Sequence, residues 1–154
     1  VITGVSGLRG FSAITIEKDR MNSEVGFIRR VLEVFEENEI SIEHVPSGID
    51  TISVVLETKT LDAVRERLLT RIQRSARPDS IAVEDELALI AVVGRGMVKA
   101  KGTSARVFDA ISAAGVNIKM IDQGSSELNI IVGIEERDFE KALTAIYNEF
   151  VKEN

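Results

Sequence analysis

An internal repeat constrains this chain more than any other feature. Residues 21–56 slide onto 97–132 at an offset of 76, without a gap. The overlay matches Met21 with Met97, Gly26 with Gly102, Arg30 with Arg106, Val31 with Val107, Ile42 with Ile118 and Gly48 with Gly124. Apolar character also matches at Leu32 and Phe108, Ile40 and Val116, Val45 and Ile121, and Val54 and Ile130. Two copies of one supersecondary unit account for such a pattern most economically. Each copy places a methionine five residues ahead of a glycine that opens a helix, so the same glycine-headed corner is built twice.

The first copy reads as alternating strands and helices. "FSAITIEK" (11–18) is β-branched and alternating, which predicts a strand. Within 24–38, Phe27, Ile28, Val31, Leu32, Val34 and Phe35 recur at helical spacing. "ISIEHV" (40–45) and "TISVVLE" (51–57) predict two strands around the turn Pro46-Ser47-Gly48. Leu61, Val64, Leu68, Leu69 and Ile72 form the stripe of a helix over 60–74, and "SIAVEDE" (80–86) gives a fourth strand. This order, βαββαβ, is the ferredoxin-like split βαβ: an antiparallel four-stranded sheet with both helices on one face. The second copy gives a strand at 87–94, a helix at 103–114, strands at 116–122 and 127–134, and a helix at 137–150. It is one strand short. The opening "VITGVS" (1–6) has no role in the first copy, so it is expected to complete the second. The first module, 11–86, is then inserted into a second made of 1–10 and 87–154, in an α+β fold.

Composition removes several classes of function. The chain has 154 residues, 44% of them hydrophobic, but aromatics make up only 5% and there is no Trp. The core must therefore be mainly Ile, Val, Leu and Ala. A formal charge of −6 argues against a nucleic-acid partner, since phosphate binding needs concentrated Lys and Arg. Without cysteine there is no disulfide framework and no thiolate chemistry, which suits a reducing cytoplasm. The longest apolar run, "LALIAVVG" (87–94), falls far short of the roughly 20 residues that span a bilayer. No membrane partner and no signal peptide are expected. The chain begins at Val1 inside a strand-like segment and reads as a piece of something longer.

The element order, together with "MNSEVGFIRRVLEVFEENEISIEHVPSGIDTISVVL" and "GRGMVKAKGTSARVFDAISAAGVNIKMIDQGSSELNIIVGI", resembles the tandem ACT regulatory region of bacterial aspartate kinase. The likeness covers essentially the whole chain. It implies a region that follows a catalytic kinase domain, senses lysine, threonine or both as pathway end products, and forms a homodimer. The nucleotide motifs of a kinase are absent from these residues, so the fragment is expected to phosphorylate nothing and to need no cofactor. ATP and Mg²⁺ would belong to the parent's catalytic domain. A free-standing amino-acid sensor acting on another partner, and a purely structural dimerisation module, are the competing readings.

The chemistry of an amino-acid ligand points to particular residues. Its α-carboxylate suits the first turn of a helix, where backbone N–H groups lack partners, and a glycine there admits close approach. Gly26, Phe27 and Ile28 fit that role. An ammonium needs carboxylates or carbonyls, which Glu43 and Asp50 supply, with Glu24 nearby; lysine, bringing two ammonium groups, is favoured on this count. Threonine would need a hydroxyl partner such as Ser47 or Thr51. The resemblance adds Met21 as an apolar wall and Ile42 beside Glu43. It also places the family's following Ser-Glu on Gly48 and Ile49, a departure that leaves Asp50 as the nearest acidic substitute. The weaker equivalent in the second copy comprises Met97, Gly102, Thr103, Ser104, Ile118, Gly124, Ser126 and Glu127. There Lys119 replaces Glu43 and Ser126 replaces Asp50, which disfavours an ammonium.

Plainer readings stand beside these. Gly26 and Gly102 also suit ordinary helix starts, and Met21 and Met97 suit core filling. His44 is the only histidine and has no metal-ligand partner at the right spacing. "GRGM" (94–97) is too short a match for a phosphate loop. Glu36, Glu37 and Glu39 read as a solvated helix end that opposes the dipole, and "RERLLTRIQR" (65–74) as an amphipathic helix face.

Overall fold

A computed structural model describes residues 4–94, 101–123 and 129–151. The elements are β1 (Gly4–Glu17), α1 (Phe27–Glu37), β2 (Thr51–Glu57), α2 (Thr58–Asp62), α3 (Arg65–Ala76), β3 (Ser80–Val93), α4 (Thr103–Ala113), β4 (Ile118–Asp122), β5 (Asn129–Glu135) and α5 (Phe139–Val151). Hydrogen-bonded strands follow the order β2-β1-β3-β5-β4. The chain divides into two compact units, residues 10–85 and residues 1–9 with 86–154.

In the unit 10–85, β2 pairs antiparallel with the second half of β1, from Phe11 opposite Glu57 to Glu17 opposite Thr51. Ile14 and Ile16 of β1 alternate inward with Ile52, Val54 and Leu56 of β2. They meet Phe27, Val31, Val34 and Phe35 of α1 and Leu68 and Ile72 of α3. Burying each of these side chains contributes about 1.5–3 kcal/mol. Arg29 and Glu33 pair one turn apart on the outer face of α1. Its C-terminus is closed by a Schellman arrangement: the Ile40 N–H reaches the Phe35 carbonyl at 2.9 Å, with Glu39 in the left-handed region at φ 53.

The other unit repeats the plan. β5 pairs with β3, from Leu87 opposite Glu135 to Val93 opposite Asn129, and β4 pairs with β5. Ala88, Ile90 and Val92 join Ile130, Val132 and Ile134 against Val107 and Ile111 of α4 and Ala142, Ile146 and Phe150 of α5. The N-terminal stretch belongs to this unit. Val5 packs on its core, Gly7 lies so near Phe139 and the Leu89 carbonyl that a Cβ would clash, and Arg9 bonds Glu140 at 2.8 Å. The first module is thus inserted in the second, in a ferredoxin-like α+β arrangement.

Several expectations need correction. The described part of the predicted strand 1–6 (residues 4–6) and residues 11–17 of the next belong to the single strand β1, and the predicted strands 80–86 and 87–94 run together in β3, which ends at Val93; residues 1–3 lie outside the described residues. The chain stays extended through one left-handed residue in each, Gly10 (φ 86) and Glu86 (φ 58), instead of turning. Residues 40–45 form no continuous strand; contact with β2 is reduced to single bridges, His44 with Val55 and Ser47 with Ile52. Pro46 contributes no N–H to a ladder, and its carbonyl alone bonds Ser53. The helix expected over 60–74 is broken at Val64 (φ −139), leaving α2 and α3. The gapless overlay also fails in its last part. Val54 faces Ile14, whereas Ile90, the equivalent of Ile14, faces Val132 and not Ile130. Two extra residues therefore enter the second copy before β5.

Candidate functional site

The glycine corner is assembled from three short stretches of the first unit. After β1 the chain makes a 3-10 turn over Met21–Ser23, entered through Arg20 in the left-handed region. Gly26 then caps α1 at φ 84, a conformation that costs glycine little, and no side chain caps this helix start. The turn before β2 is tied to the same place. Lys18 N–H bonds the Asp50 carbonyl at 2.8 Å, Asn22 N–H bonds the Ile49 carbonyl at 3.1 Å, and Arg20 N–H reaches Asp50 Oδ1 at 3.3 Å. Met21, Glu24, Gly26 and Asp50 are so gathered around one helix N-terminus.

Within the corner, the roles differ from a reading of residue types alone. Met21 is 3% exposed and belongs to the core beneath the corner. Phe27 is fully buried, and its N–H is given to the Glu24 carbonyl at 3.2 Å. Glu24 pairs with Arg30 and lies 3.9 Å from Lys18 Nζ, so its charge is already partly matched within the chain. Glu43 is exposed and its N–H bonds the Val55 carbonyl. Ser47 is bridged to Ile52, and Gly48 N–H bonds the Thr51 carbonyl at 2.8 Å. Val25, Ile28, Ile42 and Ile49 give this part of the unit an exposed apolar character, Val25 being 96% and Ile49 68% exposed.

The second corner has the same backbone and different chemistry. Gly102 caps α4 at φ 82, again with no side-chain cap, and Thr103 is buried. Ser104, in the place of Ile28, bonds Gln123 Oε1 at 2.9 Å. Lys119 lies 3.7 Å from Glu135, and Ile118 sits at a β-bulge. Met97, Gly124, Ser126 and Glu127, with residues 95–97 of the "GRGM" stretch, lie outside the described residues. Because of the two-residue insertion, β5 is out of step with the overlay that set Ser126 against Asp50.

Arg30 is the residue that reading by type passed over. Its Nη1 lies 3.1 Å from where a Gly26 Cβ would be and bonds the Val25 carbonyl at 3.4 Å. The repeat already paired it with Arg106, but nothing local in the sequence said where either guanidinium would go. His44 sits at its bridge to Val55. Among the described residues no group of His, Cys, Asp and Glu is arranged to hold a metal, and no helix is long and apolar enough to cross a membrane.

The chain as a whole is similar to known proteins. A family model described as an ACT domain matches residues 90–150. Aspartokinase 3 of Bacillus subtilis is 45% identical over 150 residues, covering 97% of this chain and 33% of that protein. The structure superposes on an allosteric aspartate kinase from Clostridium acetobutylicum with a TM-score of 0.94 and 48% identity, over 99% of this chain and 35% of that one. The regulatory subunit of aspartate kinase from Thermus thermophilus shares the fold at a TM-score of 0.83 and 22% identity, with 97% of each chain covered. The chain spans about a third of the length of the first two. It belongs to the ACT regulatory regions of the aspartate kinase family.

Proposed function

We propose that this chain is the effector-binding and dimer-forming region of an aspartate kinase, and that L-lysine is its effector, held at the Gly26 corner for feedback inhibition. The observation that carries the reading is the uncapped start of α1. Gly26 brings no side chain of its own to the approach, and the Phe27 N–H is already used, which leaves the Ile28 and Arg29 backbone N–H groups as the donors for a carboxylate. Glu43 and Asp50 are the acidic groups for the ammonium ends. The exposed Val25, Ile28, Ile42 and Ile49 support a second copy of the chain covering this corner, since such a patch is costly to leave in water. ATP, Mg²⁺ and the phosphoryl-transfer step belong in this reading to a catalytic domain elsewhere in the longer protein.

Titration calorimetry with lysine, threonine and methionine tests the assignment. Lysine is expected to bind once per chain, and Glu43→Gln to weaken it by about 1.5–3 kcal/mol as a charge-assisted contact is lost. Gly26→Val should abolish binding by filling the approach. Threonine heat without lysine heat overturns lysine as the effector, and a monomer mass by light scattering at tens of micromolar overturns the dimer.

A further inference from the structure

We infer that Arg30 makes the Gly26 corner selective for a carboxylate, an assignment that rests on the effector-binding reading above. A helix N-terminus alone is a weak anion site at an exposed position, and salt screens it. Here a guanidinium stands beside it. Arg30 lies one turn beyond Gly26, with Nη1 against the glycine and bonded to the Val25 carbonyl, and Nη2 paired with Glu24. Those contacts use one N–H on each of two nitrogens, and an arginine carries five in a planar fork. Three N–H groups are left for a ligand beside Gly26, and the planar fork matches both oxygens of a carboxylate. Glu24 holds the guanidinium in place while cancelling its excess charge, so a ligand ammonium is not repelled from the neighbourhood.

The second unit explains why Arg30 is free for this task. Arg106 holds the matching position but turns to α5, where Nε meets Glu149 Oε1 at 3.1 Å, Nη2 meets the Glu149 carbonyl at 3.2 Å, and Cζ stacks 4.5 Å over Phe150. On the register of β2 and β5, the residues of the first unit equivalent to Glu149 and Phe150 are Arg71 and Ile72. Arg71 carries the same charge as Arg30 and pairs with Glu37, and Ile72 offers no aromatic face. Arg30 has no partner of the Arg106 kind on α3, and it is drawn to the acidic residue beside Gly26 instead. One charge difference on the second helix thus decides which corner keeps its arginine.

The experiment compares L-lysine with L-lysinamide, which keeps both ammonium groups and replaces the carboxylate by an amide. With the unaltered chain, calorimetry should show lysine bound at least about 10-fold more tightly than lysinamide. Arg30→Met should cost lysine about 10–100-fold, leave lysinamide within about 3-fold, and so erase the preference. Arg30→Lys should restore part of it. Arg67→Met, at an exposed arginine of α3 bonded to Asn38, should change neither ligand. Arg71→Glu, at a half-exposed position, should weaken lysine selectively by giving Arg30 a competing partner. Equal losses for lysine and lysinamide in Arg30→Met, or lysine affinity within about 3-fold of the unaltered chain, overturn this role for Arg30. Absence of lysine binding in the unaltered chain overturns lysine as the effector instead. The same pair of measurements with threonine and threoninamide then tests Arg30 alone, and if no amino acid binds, both readings fall.

Discussion

Arg30 and Arg106 begin from equivalent positions and find different partners in their units. Arg30 lies over the start of its own helix, and Arg106 over the side of α5. The same division runs through other matched places. Midway along β3, Asp85 receives both Nη groups of Arg65, at 2.9 and 3.1 Å, whereas its counterpart in β1, Arg9, donates to Glu140. At the helix C-terminus, Glu39 stands where Gly115 does, in the same left-handed conformation. Across the β-bridge, His44 faces Val55 while Met120 faces Gly133. The backbone plan and the apolar faces are shared because both copies must bury the same kind of sheet against two helices. Polar pairs and size pairs are free to invert as long as each is satisfied locally, and there the copies become chemically different.

Giving the second unit the first unit's residues is the most direct way to break the comparison. Gly133→Val copies Val55 into a position where even a Cβ collides with Met120. Overpacking of this kind should cost about 2–3 kcal/mol of stability, read by chemical denaturation. Adding Met120→His, which completes the first unit's pair, should recover part of the loss. A variant as stable as the unaltered chain would mean that the two bridges are not built on complementary sizes.

The charge clamp should show a smaller effect with a pH signature. Arg65, and secondarily the Ser12 hydroxyl at 2.6 Å, hold the Asp85 carboxyl below its usual range. Ser12 is fully buried and also shares a hydrogen bond with Thr58. A carboxyl with a lowered pKa in the folded state contributes stability that is complete above the ordinary carboxylate value, near pH 4, and is lost as pH falls through the lowered value. Both partners are about a third or more exposed, so Asp85→Asn should cost only about 1 kcal/mol at pH 7. The difference from the unaltered chain should shrink below pH 4. A constant difference down to pH 2 would remove the ion pair as its cause.

The smallest change sharpens the comparison in the opposite direction. Glu39→Gly gives α1 the cap that α4 already has and removes a negative charge from a helix C-terminus. It should stabilise the protein by about 0.5–1 kcal/mol. Gly115→Ala should destabilise it by about 1 kcal/mol. Equal and negligible shifts in melting temperature for both would show that the cap conformation carries no strain.

Much of the plan was legible from residues alone. The alternating Ile14-Ile16 and Ile52-Val54-Leu56, the helical stripes of α1 and α4, and the two glycines heading them all have periods that report directly on burial. The two-residue insertion was invisible for a reason that follows from the same periodicity. A shift of two keeps every strand residue on its face, so Val54 matches Ile130 as well as it matches its true counterpart, Val132. The joined strands were hidden because the apolar alternation breaks at Gly10 and at the acidic run Glu84-Asp85-Glu86, yet one left-handed residue can be absorbed within an extended chain.

The sequence by itself determined that there are two copies of one unit, in what order their elements come, and where their glycine-headed helices begin. These properties depend on neighbours within a few residues, and local periodicity records them. Only the tertiary structure decided that Glu24 is engaged by Arg30, that Met21 belongs to the core, and that Arg30 and Arg106 part ways. Each of the two guanidinium positions is chosen by groups brought near by folding. Glu24 sits six residues from Arg30, while Glu149 and Phe150 lie more than forty residues beyond Arg106, on a helix whose register shifts with the insertion before β5.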